Sequence, residues 1–278
     1  MSQDFKTTTL LRSEESGGAV SMVDVTAPPR WGGPPLHHHD FDEAIYVLDG
    51  KLTFQLGEQL LTATRGRFLF APAGAAHTLA NLADEPARYL LVVTPGGFER
   101  FFERMAAEAA GVEPPPSALE PYPETTMVGP VIGERPDLDS GRPVPEVPGR
   151  IKVVLRGAEN GGRVSIMDNV VPGPTKGPPL HHHEFDEAFY VLDGELTFQL
   201  GDEAVTRGAG ELAFARGGVH HAFANRGDDD ARQLIVCTPA GFERYFQRIA
   251  AKEAGVEPPA EAMEPWPEVV TLGPRVWD

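Results

Sequence analysis

The sequence contains one long internal repeat, and this duplication constrains the fold more than any other feature. The segment at residues 34–50, PPLHHHDFDEAIYVLDG, recurs at residues 178–194 as PPLHHHEFDEAFYVLDG, an offset of 144 residues that continues as far as Pro265. A repeat of this length can hold a hydrophobic core of its own and is too long for a solenoid unit. The sequence therefore predicts two tandem domains with the same fold.

The stretch between the two copies has the composition of a linker. Residues 133–149 combine several prolines with charged residues, which gives a stiffened segment rather than a flexible one. The predicted domains are an N-terminal domain over residues 1–134 and a C-terminal domain over residues 145–278.

Each copy consists of short runs rich in β-branched and aromatic residues, broken by glycine and proline. In the first copy these runs are Ala44–Leu48, Leu52–Leu56, Arg67–Ala71 and Tyr89–Val93. The runs predict strands, and Asp49-Gly50 between the first two predicts a β-hairpin turn. The expected fold is all-β, with a sandwich or barrel in each domain.

One segment of each copy has helical periodicity instead. In the first copy its apolar residues follow Thr94-Pro95 and stop at Gly111; they are Phe98, Phe101, Phe102, Met105, Ala106 and Ala109. This spacing predicts a C-terminal amphipathic helix in each domain. We expect the helix and the aromatic segments 120–123 and 264–267 to pack against the sheet, with a role in shaping substrate entry as the second alternative.

Histidine is confined to four places in the chain, His37–His39, His77, His181–His183 and His220–His221. Side chains alternate along a strand, so the first and third histidines of each triplet face one way and the middle one faces the other. A glutamate follows each triplet at the same spacing. The candidate metal ligands are His37, His39, Glu43 and His77 in the first copy and His181, His183, Glu187 and His221 in the second.

Imidazole and carboxylate ligands together suit a divalent transition metal, namely Fe, Ni, Co, Mn, Cu or Zn. Four protein ligands leave open positions on an octahedral ion for substrate, water or O2, and we expect up to two metals per chain. The alternative, buried core histidines, is disfavoured because the spacing persists in both copies while the surrounding sequence has diverged. His38 and His182 are expected to be supporting or interface residues, and His220 and the lone Cys237 to be structural.

The charge of the chain limits its partners. Lys and Arg number 24 against 41 Asp and Glu, a formal net charge of -17, which would repel nucleic acid and an anionic lipid surface. The sequence has no apolar run of signal-peptide or membrane-span length. We therefore expect a cytoplasmic protein that binds neither nucleic acid nor membrane.

The histidine and glutamate positions match two signature motifs of the cupin superfamily, which the chain resembles over nearly its whole length. The first motif is carried by His37, His39, Glu43 and Gly50 and by His181, His183, Glu187 and Gly194; the second is carried by Gly66, Pro72, Gly74, His77 and Asn81 and by Gly210, Gly218, His221 and Asn225. The opening glycine of the first motif is displaced, to Gly32 and Gly177, and Arg216 replaces the proline of the second. These departures affect turns rather than ligands, although Arg216 could alter the mouth of the second site.

The resemblance implies a bicupin, with a double-stranded β-helix jelly roll in each domain. The chain is similar to quercetinase-type metal-dependent dioxygenases, which implies a dioxygenase that cleaves or oxygenates an aromatic or enolisable, flavonol-like small molecule with O2. Glu43 and Glu187 are then expected to take the substrate's hydroxyl proton as general bases, or only to complete the coordination sphere.

Three alternatives to a dioxygenase stay open at the level of sequence. They are an oxalate-type decarboxylase or oxidase, which needs a cationic pocket, a sugar isomerase, and a non-enzymatic small-ligand-binding cupin. Apolar helix faces of this kind also build cupin dimers, so a homodimer is one expected assembly.

Overall fold

The structure, a computed structural model, describes residues 5–134 and 150–275. The chain divides into two compact units, residues 1–146 and 147–278. Most of the predicted linker lies outside the described residues, so the boundaries of the two predicted domains stay predictions.

The two units repeat the same order of elements. In the N-terminal unit the elements are β1 (Lys6–Leu11), β2 (Ser21–Ala27), β3 (His37–His38), β4 (Asp42–Asp49), β5 (Lys51–Leu56), β6 (Gln59–Thr64), β7 (Phe68–Ala71), β8 (His77–Ala80), β9 (Ala87–Thr94), α1 (Glu99–Ala110) and β10 (Thr126–Met127). In the C-terminal unit they are β11 (Ile151–Leu155), β12 (Ser165–Val171), β13 (His181–His182), β14 (Asp186–Asp193), β15 (Glu195–Leu200), β16 (Glu203–Gly208), β17 (Leu212–Ala215), β18 (His221–Ala224), β19 (Ala231–Thr238), α2 (Glu243–Ala254) and β20 (Val270–Thr271).

Each unit folds into two five-stranded antiparallel sheets. The strand orders are β1-β2-β9-β4-β7 and β10-β3-β8-β5-β6 in the N-terminal unit, and β11-β12-β19-β14-β17 and β16-β15-β18-β13-β20 in the C-terminal unit. Side chains of both sheets share one core in each unit, where Ile45 and Leu91 of one sheet pack with Phe54 and Leu79 of the other. The prediction of two tandem all-β jelly rolls is confirmed.

The predicted hairpin at Asp49-Gly50 is wrong. β4 pairs with β7 and β9, whereas β5 pairs with β6 and β8 in the other sheet. Asp49-Gly50 is therefore a corner at which the chain crosses between sheets. Gly50 has a φ of 74°, and a Cβ there would clash with the backbone of Pro86 and Ala87. The tight hairpin turn lies instead at Gly57-Glu58, between β5 and β6.

The amphipathic helix forms where its periodicity predicts it. α1 ends at Ala110, and the next residue, Gly111, adopts the left-handed conformation that caps many helices, with a φ of 66°. The Glu99 carboxylate, buried at the first turn, accepts hydrogen bonds from the backbone N–H groups of Ser13 and Gly97 at 2.9 and 2.7 Å. The bond from Ser13 connects the helix to the turn between β1 and β2. Within residues 5–134 and 150–275, no helix combines the length and the hydrophobicity needed to cross a membrane.

Candidate metal centres

The four candidate ligands of the N-terminal unit come together near the first residues of three strands, β3, β4 and β8. β3 pairs with β8 so that His37 lies directly opposite His77, and β4 supplies Glu43 from the facing sheet. His39 follows β3, and all four side chains are buried. The fold thus converts positions spread over residues 37–77 into one cluster.

Short distances connect these four residues. One ring nitrogen from each of His37, His39 and His77 lies within 4.8 Å of the others. Glu43 Oε2 lies 3.1 Å from His77 Nε2, and Glu43 Oε1 lies 3.7 Å from His39 Nε2. His39 Nε2 and His77 Nε2 are 3.2 Å apart.

The C-terminal unit forms the same cluster, with shorter distances between the glutamate carboxylate and the histidine rings. The ligand atoms of His181, His183, Glu187 and His221 all lie within 4.8 Å of one another. Glu187 Oε2 is 3.0 Å from both His183 Nε2 and His221 Nε2. The structure therefore brings together all eight residues predicted from the sequence, in two separate groups.

In each of the six candidate ligand histidines, Nδ1 is hydrogen-bonded to a backbone carbonyl. In the N-terminal cluster, Nδ1 of His37, His39 and His77 donates to the carbonyl oxygens of Pro35, Phe41 and Ala75, each at 2.8 Å. In the C-terminal cluster the acceptors are the carbonyls of Pro179, Phe185 and Val219 at 2.8–2.9 Å. In a neutral ring, a proton held on Nδ1 leaves the lone pair on Nε2, and Nε2 is the atom directed into the cluster.

An aromatic ring supports one histidine in each cluster. The Phe41 ring stacks on His39 at a centroid distance of 3.5 Å and an angle of 1°, and Phe185 stacks on His183 at 3.5 Å and 2°. Phe41 and Phe185 are both buried. The ring planes of His39 and His183 are therefore fixed by packing as well as by hydrogen bonds.

Burial and charge act in opposite directions on the titration of these groups. Burial of His39 lowers its pKa to about 4, which keeps its ring neutral. Burial opposes ionisation of Glu187, but the hydrogen bonds to His183 and His221 outweigh it and lower the pKa to about 2. Burial also disfavours charge on His221, yet its hydrogen bond to Glu187 raises that pKa above the ordinary value.

The donor set fits a metal cation. Three Nε2 lone pairs and a carboxylate converge within a few ångströms, and such donors repel one another unless a proton or a cation lies among them. Imidazole and carboxylate are ligands of divalent transition metals, and buried ring nitrogens with backbone partners on the far side are typical of metal-bound histidine. Both groups could therefore bind a metal ion.

Comparison with known proteins agrees with the fold and with these clusters. The sequence profile of the cupin domain matches residues 23–93 and again residues 167–237, together just over half of the chain. The chain belongs to the cupin domain family. Each match ends on the strand that follows its second-motif histidine, so the two cupin domains coincide with the two clusters.

Individual relatives of this cupin differ in activity. Quercetin 2,3-dioxygenase from Bacillus subtilis (strain 168) is 23% identical, over 87% of this chain and 80% of that protein. Oxalate decarboxylase from Lactobacillus farciminis, solved as a formate complex, superposes with a TM-score of 0.57 at 16% identity, over 94% of this chain and 92% of the other. A mutant of Bacillus subtilis oxalate decarboxylase gives 0.57 at 15% identity, over 97% and 85%. At these identities the solved structures establish the fold and not the reaction.

Each cupin barrel has a cavity beside its cluster. His37 and Glu43 line the N-terminal cavity, which has a volume of about 310 Å³ and apolar walls that include Trp31, Phe98 and Phe101. His181 and Glu187 line the C-terminal cavity of about 420 Å³, with Phe189, Phe242 and Trp266 in its walls. Among the described residues, neither cavity has a lysine or an arginine in its lining.

The aromatic segments therefore do more than pack. Phe98, Phe101 and Tyr122 line the first cavity, and Tyr245 and Trp266 line the second, so the second alternative, a role at the substrate's entry, has structural support. The sequence signal for this placement was that the aromatic residues follow the long strands β9 and β19. Stacking of Arg104 on Tyr122 at 4.9 Å and of Arg248 on Trp266 at 4.4 Å holds the segment to the helix.

The remaining histidines and the cysteine lie outside both ligand sets. His38 and His182 pair through their backbones with β10 and β20. His220 is half-exposed, 3.7 Å from Asp202. Cys237 is fully buried, which raises the pKa of its thiol, and its Sγ lies 3.9 Å from Glu187 Oε1. Arg216 is not among the residues that line the second cavity.

Proposed function

We propose that each cupin domain binds one divalent transition metal, through His37, His39, Glu43 and His77 and through His181, His183, Glu187 and His221. We propose further that the chain is a dioxygenase whose substrate is an aromatic or enolisable small molecule of the flavonol type, with O2 as co-substrate. The observation that carries the proposal is the aromatic, cation-free lining of both cavities beside the histidine–glutamate clusters.

The cavity walls favour an aromatic substrate over a small dianion. Oxalate brings two negative charges, and their burial is costly unless arginine or lysine pairs with them. The lining described above supplies no such partner and adds a carboxylate of its own. Aromatic walls instead gain free energy by burying the rings of a flavonol-like molecule. The 23% identity to a quercetin dioxygenase supports the same choice.

The chain's own residues would do most of the positioning. A divalent metal in either cluster would supply Lewis-acid activation of a substrate hydroxyl and redox chemistry with O2. Phe98 and Trp31 would hold the aromatic rings and exclude water around His37 and Glu43. In the second domain Phe242 and Trp266 would do the same beside His181 and Glu187.

Glu43 and Glu187 are proposed to accept the proton of the substrate hydroxyl. The lowered pKa of Glu187 keeps its carboxylate ionised, and therefore able to accept a proton, over the whole physiological pH range. A weakly basic carboxylate is sufficient when a metal acidifies the hydroxyl. If the carboxylate only completes the coordination sphere, Glu187→Asp should retain turnover in proportion to retained metal.

Metal content and O2 uptake test the proposal together. The protein is purified without chelators or added metal, its metal content per chain is measured, and O2 consumption is followed with quercetin and with oxalate. We expect close to two metals per chain and uptake with quercetin only. The matched controls are His37→Ala, His181→Ala and the double variant, which should retain one, one and no metal. Conversion of oxalate to formate and CO2, without turnover of quercetin, would overturn the proposal.

A further inference from the structure

The two barrels differ in polarity at a pair of facing interior positions. In the N-terminal unit, β2 and β9 place Val25 directly opposite Tyr89. The same positions in the C-terminal unit, on β12 and β19, are Asn169 and Gln233. Directly opposed residues of an antiparallel pair lie on the same face of the sheet. One domain therefore has an aliphatic residue beside a phenol where the other has two carboxamides.

Both carboxamides belong to the inner face of the second barrel. Asn169 lies between the buried residues Met167 and Val171 on β12, is 6% exposed, and lines the cavity. Gln233 alternates with Ile235 and Cys237 on the inner face of β19 and is 0% exposed. Asn169 is thus part of the wall of the larger cavity, and Gln233 lies directly opposite it on the same inner face.

The side-chain amide of Gln233 has no hydrogen-bond partner in the part of the chain that the structure describes. Both Oε1 and Nε2 of Gln233 are buried without a partner. An unpaired buried amide is costly, and most buried polar groups in folded proteins are paired. An unpaired amide directly opposite a second amide that lines a cavity has the chemistry of a binding subsite.

The subsite lies away from the metal cluster along the same strand. Cys237 is the register partner of Glu187, and Gln233 precedes it by four residues, which corresponds to about 13 Å of strand. A molecule of two or three rings with one oxygen at the cluster would reach the amide pair with its far end. In the N-terminal cavity the same far end would meet Tyr89, which lies opposite Val25.

We propose that Asn169 and Gln233 form an amide subsite that binds a hydroxyl or carbonyl group on the far ring of an aromatic ligand. A carboxamide both donates and accepts hydrogen bonds, so it complements a hydroxyl group that does the same. The two domains consequently prefer differently substituted ligands, the C-terminal domain the more hydroxylated one. This inference rests on the proposed function, because it assumes an aromatic ligand in the second cavity.

Exchange of the two residue pairs tests the subsite. The probes are 3-hydroxyflavone and quercetin, which share the enolisable group and differ in the hydroxyl groups on their other rings. Dissociation constants are measured without O2 on the metal-loaded full chain, with His37→Ala and His39→Ala so that only the second site is read. Asn169→Val with Gln233→Tyr should reduce the preference for quercetin about tenfold, the effect of one lost hydrogen bond.

The reciprocal change provides the matched control. Val25→Asn with Tyr89→Gln, read in a chain whose second site is removed by His181→Ala and His183→Ala, should raise the preference of the first site for quercetin. A preference that stays within twofold in both exchanges overturns the subsite, even where O2 uptake with quercetin is normal. A shifted preference without any O2 uptake supports the subsite and refutes the proposed reaction.

If neither probe binds, thermal unfolding of the ligand-free protein tests whether the Gln233 amide is unpaired. Gln233→Met keeps the shape of the side chain and removes the unpaired amide, so the unfolding midpoint should rise by roughly 2–5 °C. A lower midpoint would mean that Gln233 is satisfied within the fold, which overturns the inference. Lack of binding by both probes would by itself refute only the proposed substrate class.

Discussion

Replacement of Phe41 by leucine should weaken metal binding in the N-terminal domain without touching a ligand. Phe41 is 1% exposed, and its ring stacks on His39 at 3.5 Å and lies 5.0 Å from Phe98. The Phe41 carbonyl that receives the His39 Nδ1 proton belongs to the backbone and survives the change. Phe41→Leu therefore isolates the contribution of the ring.

The cost of this change follows from the contacts it removes. Loss of buried volume and of two aromatic contacts should destabilise the domain by about 2 kcal/mol. That value corresponds to a fall in the unfolding midpoint of roughly 4–8 °C. Removal of a group that orients a metal-bound histidine typically weakens metal affinity about 10–100-fold. We expect a loss in this range at the first site alone.

Competition with a chromogenic chelator measures the two sites. Phe41→Leu should make one of two metal equivalents labile, and Phe185→Leu, the matched change beneath His183, should make the other one labile. Combining each variant with His37→Ala or His181→Ala assigns the labile metal to a domain. A lower unfolding midpoint with both affinities unchanged within twofold would refute the idea that packing fixes the histidine ring.

Three further predictions follow from the clusters and the backbone. Glu187→Gln should destabilise the metal-free protein in denaturant unfolding at neutral pH, because the ionised carboxylate that bonds to His183 and His221 is lost, and should weaken metal binding there at least about 100-fold by chelator competition. Metal affinity at the second site should fall as the pH drops through the raised pKa of His221, and calorimetry in buffers of different ionisation enthalpy should detect proton release on binding. Gly33→Ala should destabilise the first domain by more than about 3 kcal/mol, since its Cβ would overlap the Leu79 carbonyl, whereas Gly57→Ala, with open space around it, should cost only about 1 kcal/mol in the same denaturant titration.

The ligand positions were predictable because they are specified locally and repeated. The His-x-His spacing and the following glutamate define one wall of each site, and the same spacing recurs 144 residues later. β3 ends at His38, so strand alternation was only part of the reason that His37 and His39 converge. The contribution of His77 depended on pairing between β3 and β8, which the family motif supplied and local sequence could not.

Local sequence patterns could not predict which strands pair with each other over long distances in the chain. Asp49-Gly50 has the composition of a hairpin turn, yet a turn and a corner between sheets both need a residue with positive φ, and Gly50 provides it in either case. Which of the two forms depends on the partners of β4 and β5. Those partners lie up to 52 residues away, as in the pairing of Asp42 with Thr94 at the start of β4.

The composition of the cavity walls was the other part that sequence reasoning missed. Phe98 and Tyr122 were expected mainly to pack, because helical periodicity shows that a face is buried and not what it faces. The exchange of Val25 and Tyr89 for Asn169 and Gln233 was visible at the constant offset. Its meaning required the strand register, which shows that these residues oppose each other inside the barrel.

Isotope labelling tests the central claim most directly. The metal-loaded chain is allowed to react with quercetin under 18O2, and the organic products are examined by mass spectrometry. A dioxygenase predicts that both labelled atoms appear in the organic products, with one O2 consumed per quercetin. Label recovered in hydrogen peroxide or water, or no reaction from protein with two bound metals, would contradict the account.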